Sequence, residues 1–122
     1  MHLRKVAGLF GAAVVTVSTW AAATPASAVS MAGCAYPRVC FYLTDAAYYG
    51  NSPNASYQDV TSGYQTLGSH SRGARWIVNT RNDDTAHLHF TDGSTWCMTP
   101  NEIDLWTIKT VDKIRISSSA TC

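Results

Sequence analysis

Four cysteines constrain this chain more than any other feature: Cys34, Cys40, Cys97 and Cys122, the last being its final residue. In a small domain that folds in an oxidising compartment, an even count means two disulfides, with three ways to pair them. Cys34 and Cys40 enclose five residues with Pro37 among them, which suits a local loop. Cys97 is then left for Cys122, and that bridge pins the chain end to an internal strand. On the loop-entropy relation the short and long bridges are worth about 2 and about 3.5 kcal/mol. Either is large against the marginal stability of a domain this small.

The oxidising compartment is read from the N-terminus. Arg4 and Lys5 precede a nearly unbroken run of apolar and small residues, Val6–Val17, and a small-residue stretch ends in Ala26-Ser27-Ala28. A basic segment, an apolar segment and an A-x-A site read as a secretory signal peptide over residues 1–28, cut after Ala28. The run is too short for a membrane-spanning helix, which needs about 20 apolar residues. Residues 29–122 then form one secreted domain, long enough for one core and not two. Losing Arg4 and Lys5 takes nine basic residues to seven against eight acidic ones, a net charge of −1. A near-neutral chain has no basic stripe for phosphates, which argues against nucleic acid as partner. No other segment is apolar enough to span a membrane.

Short alternating runs separated by turns dominate the chain from Val39 onward. In Val39–Thr44, Val39, Phe41 and Leu43 share one face and Cys40, Tyr42 and Thr44 the other, as in a strand. Residues 45–73, rich in Gly, Ser, Asn and Tyr, show no helical period and read as turns around short strands near 57–60 and 64–67. A further strand is expected over 75–80, ended by the polar turn Arg81-Asn82-Asp83-Asp84. Thr85–Phe90 alternates Ala86, Leu88 and Phe90 with His87 and His89, and Ser94–Met98 follows after Thr91-Asp92-Gly93. A three-residue turn with Gly93 left-handed sets Leu88 opposite Trp96 and Ala86 opposite Met98. A two-residue turn would slip the pairing by one and exchange the faces, so burial favours the former. Thr99-Pro100-Asn101-Glu102 has the form of a capping box with Pro at the first helical position, predicting a short helix over 100–105. The last strand, Val111–Ser117, has Ile114 and Ile116 inward and Lys113 and Arg115 outward. Many short strands with one helical turn make a β-sandwich or small barrel.

No catalytic signature emerges. His87, His89 and Cys97 share a hairpin face, but in an oxidising compartment Cys97 is a disulfide sulfur, and no paired ligand motif of known spacing is present. Ser69-His70-Ser71 lacks a G-x-S-x-G elbow. Glu102, His87 and an arginine could in principle serve a small ribonuclease, yet Glu102 already has a capping role. Metal, cofactor and catalytic residues are therefore assigned to none. The tyrosines Tyr36, Tyr42, Tyr48, Tyr49, Tyr57 and Tyr64 crowd the first half, and such amphipathic, rigid side chains suit recognition of protein or sugar. The candidate binding residues are Tyr36, Arg38, Tyr48, Tyr49, Tyr57 and Tyr64.

The segment Cys34-Ala35-Tyr36-Pro37-Arg38-Val39-Cys40-Phe41-Tyr42 resembles the opening of secreted bacterial proteins of the peptidase inhibitor I36 family. In these a C-x5-C loop runs into an apolar-aromatic strand. Further matches are Tyr48-Tyr49-Gly50, Ala74-Arg75-Trp76-Ile77-Val78-Asn79, Cys97-Met98-Thr99-Pro100 and Val111-Asp112-Lys113-Ile114-Arg115-Ile116. The resemblance implies a βγ-crystallin-like Greek-key sandwich, with 39–79 and 86–117 as two degenerate halves. It also implies a secreted proteinase inhibitor, in the first instance of metalloproteinases, whose partner is an extracellular protease. Two departures stand out. Leu43 occupies the first aromatic position of the βγ signature, and the double-acidic calcium motif is absent because Asn82-Asp83-Asp84-Thr85 continues into Ala86. A cell-surface or glycan-binding toxin-like module on the same fold is the alternative function, and a small secreted hydrolase a third.

Overall fold

In the computed structural model, which describes residues 30–122, Val39–Tyr42 forms β1, the first of eight strands among the described residues. The expected signal peptide lies outside the described residues. After β1 come helix α1 (Asp45–Tyr49), β2 (Ala55–Tyr57), β3 (Gln65–Thr66), β4 (Trp76–Asn79), β5 (Thr85–Phe90), β6 (Thr95–Met98), β7 (Ile103–Leu105) and β8 (Val111–Ser117). They build two antiparallel four-stranded sheets, ordered β2-β1-β4-β7 and β3-β8-β5-β6.

The wiring repeats. The first four strands place β2, β1 and β4 side by side and send β3 to the edge of the other sheet; the last four place β6, β5 and β8 side by side and send β7 across in return. Each half thus contributes its first, second and fourth strand to one sheet and its third to its partner, so neither half closes its own sheet. The core is the shared interior, where Val39, Phe41 and Ile77 of one sheet meet Leu88, Phe90, Met98, Ile114 and Ile116 of the other. Burial of these apolar side chains, each worth roughly 1.5–3 kcal/mol, is the main force holding the sheets together.

The alternation in β1 places its side chains as expected, Val39, Phe41 and Leu43 toward that core and Cys40 and Tyr42 outward. All four residues of β1 are nevertheless buried. A second, smaller apolar layer covers the outer face: Cys34, Cys40, Tyr42 and Val78, with Met31, Ala32, Ala47, Tyr48 and Trp76 against them. The Tyr42 hydroxyl donates to the Ala32 carbonyl at 2.7 Å, and burial, then the nearby Tyr48, pushes its pKa up to about 12. Gly33, at φ +77°, backs onto Asn51 so closely that a Cβ would sit 2.1 Å from the Asn51 carbonyl oxygen, so only glycine fits here.

Both disulfides form with the expected pairing, Cys34–Cys40 and Cys97–Cys122. Their presence agrees with an oxidising environment, and no helix among the described residues is long and apolar enough to cross a membrane. The β5–β6 hairpin has the three-residue turn, with Gly93 at φ +89° and the pairs Leu88↔Trp96 and Ala86↔Met98.

Two expectations fail. Residues 45–73 contain α1, which at five residues is too short to show a period. Its signal was the cap: Thr44 accepts from the Ala47 N–H, and Asp45 stands in the first turn. Conversely, no helix covers 100–105. The box closes as a turn, Glu102 Oε1 accepting from the Thr99 N–H at 2.7 Å and the Thr99 hydroxyl at 2.9 Å. Asn101 then takes φ +64°, outside the helical region. Ile103–Leu105 pairs with β4 instead, so tertiary strand pairing overrides a locally satisfied helix start.

Candidate functional site

The candidate residues do not converge. Tyr36 and Arg38 sit on the disulfide loop; Tyr48 and Tyr49 on α1, over the outer face of the first sheet; Tyr57 in β2; Tyr64 just before β3. Tyr57 is half-buried, edge-on to Phe41 at 5.4 Å, with its hydroxyl 2.9 Å from Ser71 Oγ. It seals the sandwich, and Ser71 of the Ser69-His70-Ser71 run is buried as its hydrogen-bond partner. Tyr64 lies over the outer face of the second sheet, between His89 and the Arg115 guanidinium, each 5.7 Å away.

That second outer face carries the histidines. His87 pairs with Cys97 and with Arg115 across the strands, and His89 with Lys113. His89 Nδ1 lies 2.7 Å from an Asp112 carboxylate oxygen. Desolvation, then Arg115, holds the His87 imidazole below its usual range. Cys97 is bridged to Cys122 and has no thiolate to offer a metal. Glu102 bonds to Trp96, whose partner Leu88 points into the core, whereas His87 points out. His87 and Glu102 are thus on opposite sides of the hairpin and cannot act together on one phosphate.

The disulfide loop is fixed from several sides. Cys34 and Cys40 are buried. The Arg38 N–H donates to the Ala35 carbonyl, making a tight turn, and the Arg38 carbonyl accepts from the Thr80 hydroxyl at 2.7 Å and the Thr80 N–H at 3.1 Å. Arg81 Nη1 donates to the Pro37 carbonyl at 2.9 Å and to that of Gln58 at 3.0 Å. Arg81 is itself anchored on Asp84, a buried carboxylate, through Nε at 2.6 Å and through Nη2. Out of this frame Tyr36 points to solvent, 39 % exposed, beside the exposed Arg38, whose Nε reaches the Gln58 side chain at 3.4 Å.

Around α1 the aromatics do converge. Tyr48 lies flat on Trp76, centroids 4.0 Å apart and planes 7° from parallel. Tyr49, 71 % exposed, meets both rings edge-on. Asp45 holds the group in place, accepting from Trp76 Nε1 at 2.7 Å and Arg75 Nε at 2.6 Å. The Arg75 bond, then that of Trp76, keeps its carboxyl below the usual range. Trp76 and Asp45 were missed as site residues because their proximity to Tyr48 depends on a helix the sequence pattern did not reveal.

A second missed cluster joins the sheet edges. Trp96 Nε1 donates to Asp104 Oδ2 at 2.9 Å and Glu102 Oε2 at 3.1 Å. Burial, then the adjoining Glu102, raises the Asp104 carboxyl to about 7. Burial works to raise Glu102, but hydrogen bonds from Asp104, the Thr99 N–H and hydroxyl, and Trp96 hold its carboxyl below the usual range. Its signal in the sequence was the i, i+2 spacing of the two acids, legible only once 102–105 is extended.

No protein-family model matches the chain, and no curated protein or solved structure matches it.

Proposed function

We propose that this chain is an exported binding protein whose partner is an extracellular protein, in the first instance a secreted proteinase that it inhibits. The single observation behind this reading is the Ala35–Arg38 loop. It is closed by a buried disulfide, tied to Thr80 and Arg81, and carries Tyr36 and Arg38 into solvent. An inhibitor's affinity depends on holding its contact loop in the bound shape beforehand, which spares the ordering cost on association.

Progress curves of thermolysin, a metalloproteinase, and subtilisin, a serine proteinase, with and without the protein test it. Inhibition of one that is abolished by Tyr36→Ala with Arg38→Ala, at a stability change within about 0.5 kcal/mol, supports the loop as contact element. Inhibition that survives the double substitution overturns it.

A glycan-binding role is the second reading, favoured by the exposed Tyr49 beside the Tyr48–Trp76 stack. Retention on an insoluble polysaccharide that is lost in Tyr49→Ala would favour it over inhibition.

A further inference from the structure

The free edge of the first sheet is built to accept another strand of a particular kind. In the pairing of β4 with β7, Trp106 N–H donates to the Arg75 carbonyl and Asn79 N–H to the Glu102 carbonyl. The register Ile77↔Asp104 continues the same alternation. In an antiparallel pair, bonded and non-bonded positions alternate. The N–H and C=O of Ile103 and Leu105 therefore point away from β4, and no backbone hydrogen bond among the described residues reaches them. Both side chains are open as well, Ile103 38 % and Leu105 45 % exposed, on the outer face beside Val78 and Trp76. The other face of the same strand is acidic: Asp104, with Glu102 two residues before it and Trp96, 47 % exposed, bonded to both.

We propose that β7 is a docking strand for an extended segment of a partner protein in which apolar and basic side chains alternate. This goes beyond the inhibitory loop and uses a separate surface. Strand addition takes affinity from main-chain hydrogen bonds and specificity from alternate side chains. An antiparallel strand bonded to Ile103 and Leu105 puts its apolar residues beside those two and its lysines or arginines opposite Asp104. A second copy of the chain is a poor occupant. The antiparallel registers of β7 on its own copy that use Ile103 and Leu105 set Asp104 against Glu102, Asp104 or Trp106 of the other molecule, so none supplies a cation and two oppose acid to acid, which is unfavourable. Inward-facing acids that disfavour self-pairing while leaving the edge open are a known way to manage such strands.

Titration of the isotope-labelled protein with a short synthetic peptide alternating valine and lysine tests this by NMR. The expected result is shift changes centred on residues 103–106, with new exchange protection at the Ile103 and Leu105 amides. A valine–glutamate peptide of the same length should bind roughly tenfold or more weakly, and Asp104→Lys should reverse that preference. Leu105→Pro should abolish binding, and since its N–H points outward the substitution removes no internal bond. Normal unfolding midpoints show that each variant is folded, and where Leu105→Pro is not, the Asp104→Lys reversal decides. Shift changes elsewhere, none at all, or equal binding of the glutamate peptide would overturn the proposal, as would a dimer formed through β7 without peptide.

Discussion

Trp96 joins the two sheets at their edges: from β6 its indole Nε1 stands 2.9 Å from an Asp104 carboxylate oxygen on β7. One N–H donor serves two carboxylates here, because Glu102 lies 3.1 Å from the same nitrogen. Glu102 has the Thr99 N–H and hydroxyl as further donors and stays ionised. Asp104 is desolvated by burial, lies against Glu102 and has no other donor among the described residues, so it is the member of the pair that takes up the proton.

Stability should depend on pH through that proton. The Asp104 carboxyl stands at about 7 in the folded chain against an ordinary 3.8. The folded state therefore binds this proton more tightly than the unfolded one. Its contribution is complete below the ordinary value and is lost as pH rises through the folded value. Asp104→Asn should leave the urea midpoint unchanged near pH 4 and raise stability at pH 8 by about 1 kcal/mol, a figure discounted for the exposure of the site. A variant no more stable than the parent at pH 8 would contradict the assignment.

The two disulfides should not rank as their loop lengths suggest. Loop entropy favours the Cys97–Cys122 bridge, with a sequence separation of 25 against 6. Yet Cys122 and the residues before it are exposed, whereas Cys34 and Cys40 are buried in the layer beneath α1. Replacing buried sulfurs with Ala adds a cavity cost to the lost constraint. Cys34→Ala with Cys40→Ala should therefore cost at least as much as Cys97→Ala with Cys122→Ala, about 3 kcal/mol each. Calorimetric or urea unfolding of the two double variants checks the order.

The stack of Tyr48 on Trp76 gives a third prediction. Tyr48→Ala should cost about 1–2 kcal/mol, through lost ring contact and exposure of the layer below. Tyr48→Phe should change stability by less than about 0.5 kcal/mol, since the ring and not the hydroxyl makes the contact. If Phe costs as much as Ala, the hydroxyl has a role that this geometry does not provide.

Period-2 patterns carried most of the architecture. The faces of β1, the β5–β6 register and the inward pair Ile114 and Ile116 follow from alternation plus one glycine turn. The short elements were illegible for a physical reason. Five residues in α1 and three in β7 contain too little period to distinguish helix from strand, and the local cap at Thr99–Glu102 was satisfied without a helix. The site was less legible than the fold, because its grouping depends on those short elements. Tyr48 joins Trp76 only through α1, and Asp104 meets Trp96 only because 103–105 is a strand. Tyr57, read as a candidate contact, turned out to face the core seam, since alternation in a three-residue strand leaves the face undetermined.

Arg81 provides the last prediction, because it couples folding to the proposed loop. Its guanidinium is mostly buried and satisfies three oxygen partners at once: the Asp84 carboxylate, the Pro37 carbonyl and the Gln58 carbonyl. Removing one partner of a buried ion pair leaves the other charge uncompensated, typically at a cost of about 3–5 kcal/mol. Arg81→Ala should approach that range, with Asp84 left unpaired. Arg81→Ala together with Asp84→Ala should cost clearly less than the sum of the two single changes, as residues in one network do. Arg81→Lys is the informative variant for function. A lysine can keep the charge opposite Asp84 but lacks the planar fork that holds two carbonyls as well. It should fold, with a modest loss of stability, while the Ala35–Arg38 loop loses its tie through Pro37. If Tyr36 and Arg38 make the partner contact, Arg81→Lys should weaken binding mainly through a faster off-rate, as loss of preorganisation does. Unchanged dissociation kinetics in a folded Arg81→Lys protein would show that the loop does not need this restraint, and the contact surface should then be sought around Tyr49 and Trp76.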